Sequence, residues 1–183
     1  MALLRYGLAL VLIAALQSGG IQSQAPGLSD AQAKAAVLYN LAMFVQWPEE
    51  ALPSSERLTI GIVRADPVLT AMHGIEGRIA NGHAVRIVDV RPETGPHLCH
   101  IVYLPDLDRD SKTWLEKVGR RPILTVGDDE RFLRSGGIVR LSVEESRIRF
   151  DIDVGNAERA GLKISSKVLM LARVVRDGRT VKD

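Results

Sequence analysis

Leu58-Thr59-Ile60-Gly61-Ile62-Val63-Arg64-Ala65-Asp66-Pro67-Val68-Leu69-Thr70-Ala71-Met72 contains the alternation that sets the fold class. Leu58–Val63 is a continuous apolar run with β-branched residues, which reads as a strand buried on both faces. Pro67–Met72 then reads as a short helix. The alternation continues along the chain. Ala84–Val90 alternates like a strand, His100–Leu104 is the next, Ser111–Val118 is helical and carries Trp114, and Pro122–Val126 is another short apolar strand. Asp128 or Asp129 caps a turn of helix over Glu130–Leu133. Ile138–Val143 and Arg147–Asp153 pair as a hairpin around Glu144-Glu145-Ser146, and a helical stretch interrupted near Gly161 runs from Asn156 to Ala172. Short apolar strands separated by helices predict an α/β fold. The expected architecture is a mostly parallel sheet flanked by helices, ending in an antiparallel hairpin, in a single domain.

One helix precedes this series. Ser29 can cap it, Gln32 completes a capping-box pattern, and the helix is expected over Ala31–Val45, stopping at Trp47-Pro48. From Ala35 to Phe44 almost every residue is apolar or aromatic, with Asn40 the exception. Such all-round hydrophobicity means burial on several sides, against the core or another subunit.

Ahead of that helix, Met1–Arg5 is a short cationic head and Gly7–Leu16 an unbroken apolar run. Ten residues reach about 15 Å as a helix, half the hydrocarbon core of a bilayer. Head, run and the small residues that follow therefore read as a secretory signal peptide, removed on export. The chain is expected to divide into a signal peptide over 1–25, an α/β domain over 28–175 and a polar tail over 176–183. Its 183 residues carry 24 Lys+Arg against 22 Asp+Glu, a net +2 that falls to +1 without Arg5. With 46% hydrophobic and 25% charged residues and a mean hydropathy of +0.05, this is a globular composition with no basic field to hold nucleic acid or a membrane surface. The single cysteine, Cys99, cannot form an intramolecular disulfide. A lone cysteine in an exported protein is either buried and inert or pairs between chains; its neighbours read as a buried strand, which favours burial.

Little in the chain points to catalysis. Phosphate loops, nucleophile elbows and the H-E-x-x-H pattern are absent from the sequence. His97, Cys99 and His100 bring two imidazoles and a thiol together, a set that suits copper or zinc. In a strand, however, residues 97 and 99 share a face while 100 points away. Asp106, Asp108 and Asp110 resemble the start of a calcium loop, but Ser111 stands where glycine is required and Lys117 where glutamate is required. Asp151 and Asp153 put two carboxylates on one strand face, expected to be solvated near Arg147 and Arg149. Ile148, Phe150 and Ile152 share the other face, which reads as core first and binding surface second.

Three ordered blocks are more specific. They are Lys34–Pro48; Pro122–Asp128; and Gly136–Arg140 followed by Ile148–Asp153 and Ala160–Ala172. From about Lys34 to Ala172 the chain resembles the YfiR-like family of small periplasmic proteins. That resemblance implies a regulator, not an enzyme, with no cofactor. Its implied partner is the periplasmic domain of an inner-membrane diguanylate cyclase, which it would repress, lowering cyclic di-GMP and biofilm formation. It also implies a homodimer, and no membrane insertion after signal cleavage. Phe150, Asp153, Glu158, Leu162 and Ile164 are the candidate partner contacts; Tyr39, Phe44 and Trp47 are candidates for the core or a dimer helix. Asp153 stands where the family pattern has Asn, and the paired cysteines of the repressor that this chain resembles have no counterpart beside Cys99. The alternatives are a small-ligand-binding module using the crevice at the strand ends and an envelope metal-binding protein using His97, Cys99 and His100.

Overall fold

The computed structural model describes residues 29–64, 67–91, 98–145, 147–176 and 181–182, with 174–176 and 181–182 described as backbone alone. The expected signal peptide and His97 lie outside the described residues. The chain opens with α1 (Asp30–Phe44) and the two-residue strand β1 (Val45–Gln46). It continues with β2 (Leu58–Val63), α2 (Pro67–Met72), β3 (Ile79–Ala80), β4 (His83–Val90), β5 (Ile101–Leu104), α3 (Arg109–Val118) and β6 (Leu124–Gly127). The C-terminal part holds β7 (Val139–Glu144), β8 (Arg147–Asp153), α4 (Val154–Arg159), β9 (Lys163–Ile164), α5 (Ser166–Leu169), β10 (Val174–Arg176) and β11 (Val181–Lys182).

The main sheet has the order β11-β10-β8-β7-β6-β5-β2-β4-β3. Its centre, β4-β2-β5-β6-β7, is parallel throughout. The β7–β8 hairpin is antiparallel, with Glu144 opposite Arg147 and Arg140 opposite Asp151. Beyond the hairpin, β10 adds parallel to β8 and β11 antiparallel to β10. The chain steps from β2 to β4 on one side and then, from β5, to β6 and β7 on the other. This reversal is the doubly wound arrangement, and it puts the crossover helices on opposite faces.

Period-two alternation divides the sheet between two cores. Ile101, Tyr103, Leu124 and Val126 face the side covered by α1, α2, α4 and α5. Val102, Leu104 and Ile123 face the side covered by α3, with Trp114, Leu115 and Phe132. The α1 helix packs against α2, β3, β8 and α5, so much of its apolar circumference is used within the chain. Ala36, Asn40 and Met43 form its exposed stripe. The capping box is present: Gln32 N–H donates to Ser29 Oγ at 3.2 Å and Ser29 N–H to Gln32 Oε1 at 2.9 Å.

Three local expectations are corrected. Glu130–Leu133 is not a helix; a turn leads into a 3-10 turn over Leu133–Ser135, closed by Gly136 in the left-handed region at φ 95°. The stretch after Asn156 is not one interrupted helix, because Lys163-Ile164 leaves to pair antiparallel with Val45-Gln46. Asp151 and Asp153 are not solvated: they are 5% and 8% exposed. Asp151 is the cross-strand partner of Arg140, bonded at 3.1 Å, and also accepts from Arg173. Asp153 caps α4, its Oδ1 accepting from Asn156 N–H at 2.7 Å.

Candidate functional site

The motif blocks meet in space. Lys34, from the first, reaches across the sheet to form an ion pair with Asp128, the last residue of the second. The carboxylate of Asp128 also accepts from the Tyr103 hydroxyl at 2.7 Å. The first block joins the third where Ser165 N–H donates to the Phe44 carbonyl at 3.0 Å, next to the β1–β9 ladder. Within the third, Asn156 Nδ2 donates to the Gly137 carbonyl at 2.7 Å. Glycine is required in that turn for two reasons. Gly136 takes a positive φ, and the ring of Phe132 lies flat between Gly127 and Gly137, leaving no room for a Cβ on either.

Where α1 and α5 flank β8, the fold leaves an apolar groove of about 200 Å³. Val37, Asn40 and Phe44 form one wall, Lys167, Val168 and Leu171 the other, and Phe150 lies between them. Leu171 on its rim is 75% exposed, and Met170, its neighbour in the chain, is 77% exposed. Exposed large apolar side chains beside an apolar groove mark a surface that a partner could cover. Phe150 and its neighbours Ile148 and Ile152 pack toward the core on this face.

The other candidate contacts are spread out. Ile164 is half-buried in β9, and Glu158 is exposed on α4. Leu162 is 1% exposed and belongs to the core, so it presents no surface. Asp153 is committed to its cap, a role that Asn fills equally well, so the departure from the family pattern leaves this local structure intact. Tyr39 and Trp47 are packed within the chain. The Tyr39 hydroxyl donates to the Ile79 carbonyl at 2.8 Å and its ring carries Arg78 at 5.3 Å; Trp47 meets the His100 ring edge-on at 6.3 Å. Phe44 alone of these three lines the groove.

The alternative chemistries find less support. His100 Nδ1 accepts from Thr59 N–H at 2.9 Å and its Nε2 bonds the Ala51 carbonyl at 3.0 Å, so neither nitrogen is free for a metal in this arrangement. Among the described residues no group of three or more His, Cys, Asp or Glu is placed to hold a metal ion. Burial pushes the Cys99 thiol up to about 11, which leaves it protonated and unreactive near neutrality. At the switch point between β2 and β5, Arg64 pairs with Asp108 and with Asp110, the latter at 3.0 Å. Asp108 is held below the usual carboxylate range, first by the Ser111 N–H that it caps. Among the described residues no helix is long and apolar enough to cross a membrane.

Comparison with known families agrees with this arrangement. The model of the YfiR/HmsC-like family matches residues 31–173, a span that takes in all three motif blocks. The chain belongs to the YfiR/HmsC-like family.

Proposed function

We propose that this family member is a periplasmic regulator that binds the periplasmic domain of an inner-membrane diguanylate cyclase and represses it. Membership of the family supports periplasmic control of cyclic di-GMP synthesis in general. The observation that carries the finer reading is the groove between α1 and α5, where residues from the first and third motif blocks surround Phe150 and leave Leu171 and Met170 exposed. An apolar groove with few polar groups suits a protein partner's aliphatic or aromatic side chains better than a substrate awaiting chemistry.

Repression then works by population shift. A protein that binds one state of the cyclase more tightly than the other moves the balance toward that state, and equal affinity moves nothing. Taking the cyclase from nearly all active to nearly all inactive needs a preference of about 10⁴-fold. A signal relieves repression by weakening this preference. The protein is proposed to act after removal of residues 1–25, as a homodimer, with lower biofilm formation as the outcome. The test is retention of the purified protein on the immobilised periplasmic domain of a membrane cyclase encoded beside it, together with deletion of its gene. Retention and raised cyclic di-GMP support the reading. No retention with unchanged cyclic di-GMP removes it.

A further inference from the structure

The segment from Trp47 to Arg57 straps β1 to the start of β2, and two histidines hold it down with opposite proton requirements. His83 Nδ1 bonds the Glu56 carbonyl at 2.9 Å. A carbonyl can only accept, so this nitrogen carries a proton, and the bond survives protonation of the ring. His100 differs. Its Nε2 must donate to the Ala51 carbonyl, so the neutral ring has its lone pair on Nδ1, where it accepts from Thr59 N–H. The bond from Thr59 therefore requires the neutral ring, while the bond to Ala51 depends on the ring keeping the orientation that the Thr59 bond sets.

We propose that His100 is an acid-sensitive latch on the Trp47–Arg57 strap and on the β1–β9 ladder that precedes it. A proton on Nδ1 replaces the acceptor with a donor facing the Thr59 N–H. The ring must turn away, and the Nε2–H bond to Ala51 goes with it. Trp47, seated edge-on against the ring, loses its support. The ladder is two residues long, Val45 with Ile164 and Gln46 with Lys163, so it frays when the strap beside it loosens.

The charged surroundings of His100 do not cancel this response. Burial lowers its proton affinity most, the bond to the Ala51 carbonyl and the charge of Glu56 raise it, and His83 lowers it. Arg57, Arg86, Asp89, Cys99 and Arg121 line the same cleft. The cations oppose an added positive charge, Asp89 favours it, and the cleft gives the proton a route to the ring.

The test is an NMR titration of the His100 ring in the intact protein, with hydrogen exchange followed across the same pH range and corrected for intrinsic rates. The ring is expected to titrate below the ordinary value near 6.5. Protection of 47–57 and 163–164 should fall by up to about tenfold per pH unit between that ordinary value and the lowered midpoint and level off below it, while the centre of β5 and β6 stays protected. His100→Gln, which keeps an acceptor and a donor without titrating, should abolish the fall; His83→Gln should retain it. A ring that titrates at the ordinary value, or strap protection unchanged through the midpoint, overturns the proposal. So does an undiminished response in a folded His100→Gln variant; if that variant does not fold, the wild-type titration and exchange decide alone.

Discussion

Arg173 grips Asp151 with two parallel bonds, Nε to Oδ1 at 3.0 Å and a terminal nitrogen to Oδ2 at 2.8 Å. Arg140 bonds the same Oδ2 at 3.1 Å, and Arg173 also reaches Glu144. This network fixes the residue before β10 to the middle of β8, where Arg173 N–H also donates to the Phe150 carbonyl at 2.9 Å. It therefore determines how the C-terminal strand enters the sheet, and it holds the backbone on either side of the groove.

Asp151→Asn should strand Arg140 in a nearly closed site and convert the forked pair with Arg173 into weaker bonds. Removing one member of a buried pair costs about 3–5 kcal/mol, and the partial exposure of Arg173 lowers that to ~2–3 kcal/mol here. Urea denaturation of the variant measures it. A loss under about 0.5 kcal/mol would mean that the network adds no net stability.

A methyl group on Gly137 would collide with the ring of Phe132, which is fully buried; on Gly127 it would lie 2.5 Å from the opposite side of the same ring. Neither neighbour can retreat without opening the core around Trp114 and Leu133. Gly137→Ala should therefore lower stability by about 1–3 kcal/mol through overpacking. Gly74→Ala, where nothing lies within 4 Å of the new Cβ, is the control and should leave the denaturation midpoint nearly unchanged.

Cys99 is buried, lies against Gly61 and has its thiol pushed up to about 11 by burial. At pH 8 the thiolate is scarce and covered, so a disulfide reagent should label the native protein at the rate of its unfolding and not at the rate of a free thiol. Reducing agent should leave the thermal midpoint unchanged, since one cysteine forms no internal bridge. Fast native labelling would contradict the burial, and a midpoint that shifts on reduction would point to a bridge between chains.

The pattern of what the sequence revealed follows from how local each signal is. Leu58–Val63 reads correctly as a strand because a strand covered on both faces is an unbroken apolar run, visible without any partner. The β1–β9 pair has no such signal: two residues carry no periodicity, and Lys163-Ile164 becomes a strand only because Val45-Gln46 lies beside it. Asp151 reads as solvated on a strand face that it shares with Arg147 and Arg149, yet its partners come from β7 and from Arg173. The hairpin contained the missing signal. With Glu144 set opposite Arg147, the register places Arg140 opposite Asp151. The groove was half legible. Phe44, Phe150, Lys167 and Leu171 all stand in the motif blocks, but the stretch holding Lys167 and Leu171 read as helix and gave no sign of facing α1.

Leu171 separates the partner role of the groove from its structural role. It is 75% exposed on the groove's rim, whereas Phe150 is packed against the core. Phe150→Ala should both destabilise the protein and weaken any partner bound there, so a loss of binding by that variant decides nothing. Leu171→Glu removes little packing and should change stability by no more than about 0.5 kcal/mol. It also places a carboxylate where a partner's apolar side chain would seat, and burying that charge unpaired should weaken binding of the cyclase's periplasmic domain at least tenfold, about 1.4 kcal/mol. Titration of the domain with wild type and variant, alongside their thermal midpoints, measures both quantities. Unchanged affinity in a variant of unchanged stability would move the contact surface away from the groove, toward Glu158 and Ile164. Lost affinity at unchanged stability would place the partner over Leu171.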